Sequence, residues 1–221
     1  MHEIMDMDVY EKYLSNIKRD IRSLKIKSMC KTLDKLAGKS PEELLSGANI
    51  SNQLPVNLEL LLKHWTVSAL PINFSELEAY KELQDNDEIK NKKILGAVVL
   101  KGDSLCIFYD STDTPHRQRF TIAHELAHCC LDYENLKERK INFRIEYADM
   151  SIEHSGDEYE NEKKMNTFAG ELLIPEKILR MVYERFHYVE ELSVAFAVSI
   201  NVMTERLKTL GLVAKSNSST D

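Results

Sequence analysis

The stretch Arg119-Phe120-Thr121-Ile122-Ala123-His124-Glu125-Leu126-Ala127-His128 places two imidazoles one helical turn apart with a carboxylate between them. Residues i and i+4 share one face of an α-helix, so His124 and His128 can reach a single cation while Glu125 sits beside its open position. This is the H-E-x-x-H pattern, and a zinc ion held by it keeps room for water. The flanking residues predict a helix. Thr114 stands at the N-cap, Pro115 at the first helical position, and Phe120, Ala123, Leu126, Ala127, Cys130 and Leu131 form an apolar stripe. The stripe buries the helix and leaves the histidine edge facing a cleft. A pattern with two wildcards also arises by chance on helices that bind nothing, so a third ligand has to decide.

Candidates for it lie in residues 158–175. Met165, Phe168, Ala169 and Leu172 form a second helical stripe there, which Pro175 ends. Glu162 and Asn166 are four apart and project together, so Glu162 can bind metal while the Asn166 amide orients a ligating histidine. The competing reading makes Glu158, Glu160 and Glu162 the acidic first turns of a solvated helix, where the macrodipole favours carboxylates.

Together these residues resemble the ImmA/IrrE family of metallo-endopeptidases. The resemblance rests on the Arg119 to His128 stretch, on Glu162 to Asn166 followed by Phe168-Ala169-Gly170-Glu171-Leu172-Leu173-Ile174-Pro175, and on residues 198–212. Lys164, Met165 and Ile174 depart from the family's usual residues, and none of them is a ligand. The resemblance implies a zincin-like core with His124, His128 and Glu162 as zinc ligands, Glu125 as general base and Asn166 supporting a ligand. It also implies a substrate class: a helix-turn-helix transcriptional repressor, cut so that stress or mobile-element genes are released.

The whole chain is compatible with that reading. It has 221 residues, of which 43% are apolar and 29% charged, ordinary values for a globular protein. A net charge of −7 argues against general attraction to nucleic acid or anionic membranes. Residues 1–8 are acidic and lack an apolar segment, and no run is long enough to span a bilayer, so a cytoplasmic protein is expected. Cys30, Cys106, Cys129 and Cys130 form no C-x-x-C pair. Although Cys129 and Cys130 follow His128, neighbours on a helix point about 100° apart, which makes buried thiols a better reading than ligands.

Residues 1–39 read as basic amphipathic helices with Tyr10, Leu14, Ile17, Ile21 and Leu24 on one face. The Ser, Gly, Pro and Asn content of 39–54 suggests a linker with one short helical turn at 41–45. A Leu-rich helix opens at Pro55, and 67–74 reads as a strand. His64 has no spaced partner and is taken as structural. Residues 94–100 and 104–109 form a hairpin whose edge, lying before the motif helix, offers a place for an extended peptide to pair. Ile141, Phe143, Ile145 and Tyr147 alternate with polar residues as in a half-buried strand. His154 and Tyr159 are candidate donors to a developing oxyanion.

Beyond Pro175 comes a helix at 178–186, then two helices joined at 198–201 with helix-turn-helix spacing. Their balanced charges point to a packing unit rather than a groove binder, so direct nucleic-acid binding is not expected. The expected organisation is an α+β protein: a helical appendage and linker at 1–52, a metallopeptidase core with a small antiparallel sheet at 53–175, a helical subdomain at 176–215 and a tail at 216–221. Two rivals to a peptidase are a protein that antagonises a repressor by contact alone and a DNA-binding regulator using the C-terminal helices. The intact Glu125 favours the enzyme, since a scaffold has no use for it.

Overall fold

In the computed structural model the described residues are 33–77, 92–101, 104–139, 141–147, 157–186 and 188–213. Among them the elements run α1 (Leu33–Leu36), α2 (Pro41–Gly47), α3 (Leu58–His64), β1 (Ser68–Ile72), β2 (Lys92–Lys101), β3 (Ser104–Asp110), α4 (Pro115–Leu131), α5 (Tyr133–Arg139), β4 (Ile141–Tyr147), α6 (Asp157–Leu173), α7 (Glu176–Tyr183), α8 (Val189–Phe196) and α9 (Ile200–Thr209). The fold is α+β, as expected. Most of the basic N-terminal segment lies outside the described residues.

The sheet has four strands in the order β1-β3-β2-β4. The hairpin β2–β3 and the strand β4 pair antiparallel, and β1 adds to β3 in parallel. The hairpin expected to offer an edge is therefore interior on both sides, and the edges belong to β1 and β4. The two edges differ. Pro71 removes a donor from β1, which blunts that edge against strand addition, whereas β4 contains no proline.

Helix α4 packs on the sheet because its small and apolar residues share one face. Ala123, Leu126 and Ala127 enter one buried cluster with Val98, Leu105 and Ile107 of the hairpin and with Met165, Phe168, Ala169 and Leu172 of α6. Burying a leucine such as Leu126 or Leu172 contributes about 1.5–3 kcal/mol. Pro115 opens α4 as expected, but Thr114 makes no side-chain cap bond, and Leu131 at its far end is exposed rather than part of the stripe.

Residues 40–54 do not behave as a linker. Leu44, Leu45 and Ile50 are buried in the same cluster, and the Trp65 indole N–H donates to the Leu44 carbonyl at 3.0 Å. The polar residues that suggested a loop are caps: the Ser40 hydroxyl accepts from the Glu43 N–H, and the Glu43 carboxylate accepts from the Ser40 N–H.

The C-terminal helices dock on the same body. Arg206 of α9 is buried, with Nε donating to the Ile174 carbonyl at 3.2 Å and Nη1 to Glu171 Oε1 at 3.1 Å. It serves one carbonyl just past the end of α6 and a carboxylate in its last turn. At the other side Arg119 of α4 donates from Nε to the Ala197 carbonyl and from Nη2 to the Val56 carbonyl. Ala197 is the left-handed residue, φ 52°, between α8 and α9. No helix among the described residues is long and apolar enough to cross a membrane.

Candidate metal centre

Helices α4 and α6 lie against each other, and the motif residues meet between them. His124 Nε2 is 3.2 Å from Glu162 Oε2, His128 Nε2 is 3.4 Å from Glu162 Oε1, and the two Nε2 atoms are 3.2 Å apart. Among the described residues His124, His128 and Glu162 form the group able to share a metal ion. Bonds of about 2.0–2.1 Å to a tetrahedral zinc set donor–donor separations of about 3.3–3.4 Å, close to the length of each of these three contacts, with the two Glu162 oxygens each facing one histidine. Two imidazole nitrogens and a carboxylate are also a donor set suited to zinc.

The supporting contacts orient the rings. Asn166, one turn after Glu162, places Oδ1 3.0 Å from His124 Nδ1. An amide oxygen accepts, so the proton sits on Nδ1 and the Nε2 lone pair is left facing the cluster. His128 has Asp132, one turn ahead on the chain, with Oδ2 at 3.8 Å from Nδ1. Burial works to lower the His128 pKa, but the Asp132 contact and the charges of Glu125, Glu162 and Asp132 outweigh it, leaving it raised. The field that favours a proton there favours any cation.

Glu125 is fully buried and both histidines are about 1% exposed. The sequence led us to expect a histidine edge open to a cleft, and instead α6 covers it. Access comes from the side of Glu162, whose side chain is 41% exposed. Cys129 and Cys130 are buried free thiols, as expected, with Cys129 Sγ donating to the Glu125 carbonyl. Burial pushes the Cys130 thiol up to about 12, which makes it a poor thiolate ligand.

Of the other candidates, His154 lies outside the described residues. Tyr159 falls in the first turn of α6, with its side chain outside them. Two neighbours of the site escaped the sequence reading. Asp132 could have been found from its i+4 spacing to His128. Gly96 stands out as a glycine inside an apolar strand, a usual mark of close backbone approach.

An α+β body carrying an H-E-x-x-H helix and a converging glutamate defines a zincin-like, metallopeptidase-related class. Comparison with known families agrees: a model of Peptidase_M78, the IrrE N-terminal-like domain, matches residues 80–208. The match spans more than half of the chain, which belongs to this family. No curated protein matches the chain. Among solved structures, a Mycobacterium tuberculosis transcriptional regulator is similar at 15% identity and a TM-score of 0.46, over 76% of this chain and 46% of that one. The chain thus spans about half the length of that regulator.

Proposed function

We propose that this protein is a cytoplasmic zinc-dependent endopeptidase that cuts a helix-turn-helix transcriptional repressor. The reading is carried by one observation: three donors converge at 3.2–3.4 Å beside a buried Glu125. His124, His128 and Glu162 would hold the ion, with Asn166 fixing the His124 ring. A zinc ion bound there supplies Lewis acidity for a carbonyl and acidifies water. Glu125 accepts a proton from the attacking water and returns it to the leaving amine.

Among the described residues the sheet offers one suitable edge for a substrate strand. With β1 blunted by Pro71, β4 is the edge open to an extended peptide. Its Arg144 pairs with Gly96, the β2 residue that faces Glu125. A peptide added along β4 would be the second strand from β2, with β4 between it and the strand that faces Glu125. The repressor as target follows from the family resemblance.

The test is incubation of the zinc-loaded chain with a helix-turn-helix repressor from the same genome, with and without chelator. The expected result is chelator-sensitive appearance of two fragments. An intact repressor that nonetheless binds the chain would replace the peptidase with a contact antagonist.

A further inference from the structure

We infer that Gly96 is a positioning residue that sets where the Glu125 carboxylate lies, and that its bare Cα is required for space rather than for backbone freedom. The inference rests on the peptidase reading of Glu125. Gly96 sits in β2 where the pairing with β4 slips: Ile94 pairs with Ile145 and Gly96 with Arg144, leaving Leu95 as an extra residue. Such a bulge bends its strand and re-aims the residues beside it. Here it brings the strand backbone against α4.

A Cβ at position 96 would lie 2.4 Å from Thr121 Cγ2, 3.0 Å from Glu125 Oε1 and 3.2 Å from the Phe108 carbonyl oxygen. Gly96 is not among the glycines with positive φ, which among the described residues are Gly38 and Gly211, so an alanine could adopt its backbone conformation. The space could not take it. Thr121 is a buried β-branched residue on a helix, confined there to two χ1 rotamers and hemmed in by close packing. The Phe108 carbonyl belongs to the neighbouring strand β3. Of the three neighbours, the Glu125 carboxylate is the end of a flexible side chain and is the one able to yield. Gly96 therefore lets strand and helix close on each other until the carboxylate has one place to be, while touching none of the metal-binding donors.

The two contacts can be separated. Gly96→Ala introduces both. Gly96→Ala with Thr121→Ser deletes the methyl that clashes at 2.4 Å and keeps the new methyl against Oε1. For the zinc-loaded full chain, crystal structures, zinc content, thermal midpoint, and kcat and KM on the helix-turn-helix repressor of the cleavage test are measured.

In Gly96→Ala the expected results are one zinc per chain and a Glu125 carboxylate displaced by about 1 Å. KM should stay within about twofold and kcat should fall about 10²-fold, the cost of such a misplacement. In the double variant the thermal midpoint recovers, while the displaced carboxylate and low kcat persist. A carboxylate in its native place in either variant, or a kcat that recovers together with the midpoint, overturns the inference. A repressor left intact by the zinc-loaded native chain, with the carboxylate still displaced in the variants, would instead count against the peptidase reading and keep the packing role of Gly96.

Discussion

From Thr121 to Cys130 every residue of α4 except Ile122 is buried, whereas α6 exposes Glu160, Lys163, Lys164, Asn166 and Thr167 around Glu162. One helix is held on all sides by the sheet and by α6. The other is buried along the side that carries Met165, Phe168, Ala169, Leu172 and Leu173, and meets solvent on the side around Lys163, Lys164 and Thr167. The two histidines and Glu125 are thus held in place by packing, and Glu162 has room to adjust. Preorganised groups avoid reorganisation at the moment of reaction, while an exposed ligand leaves a path for exchange.

The largest effect should come from the buried helix. Glu125→Gln is expected to slow cleavage by about 10²–10⁴-fold at unchanged zinc content, measured by fragment yield and metal analysis side by side. A variant that cuts at the native rate would remove Glu125 from the chemistry.

Metal affinity sharpens the contrast between the helices. His128→Ala should leave no zinc bound after gel filtration, and Glu162→Gln should retain weaker, measurable binding in a competition titration. Equal losses in the two variants would break the distinction between fixed and adjustable donors. Asn166→Ala leaves all three donors in place and frees the His124 ring, so a smaller loss is expected, about 10–100-fold.

The smallest effect concerns the turn before α4. Lys93 Nζ contacts Asp110 Oδ2 at 3.0 Å and Asp113 Oδ1 at 2.6 Å, and Thr112 donates to Asp110 from its N–H and its hydroxyl. Burial works to raise the Asp110 pKa, but the Thr112 bonds and Lys93 outweigh it and hold it below the usual carboxylate range. A depressed folded pKa gives stability that is complete above the ordinary carboxylate value and lost as pH falls through the folded one. Asp110→Asn should flatten the dependence of the thermal midpoint on pH below about 4, measured by calorimetry in acidic buffers.

Much of this was legible in the sequence where local periodicity carried the information. The helical period of α4, the strand at β4 and the i+4 spacing of Glu162 and Asn166 each reflect one element, and each of these elements stands where the sequence placed it, although Leu131 leaves the α4 stripe. What stayed hidden depends on a partner far along the chain. Ser40 reads as a linker residue until Leu44 and Leu45 of the helix it caps are seen buried in the core. The parallel pairing of β1 with β3 is a choice among distant strands that no local pattern records. Gly96 was visible as an odd glycine, but Thr121 and Glu125, its reasons for being one, lie on another element.

Arg119 joins the first half of α4 to two carbonyls that the chain supplies from opposite directions, Val56 before it and Ala197 after it. The helix bearing the histidines is accordingly braced like a beam between two abutments, and a fragment trimmed to residues 92–175 would keep the beam and discard both supports. Anyone shortening this protein for crystallisation or labelling should cut outside those two anchoring points.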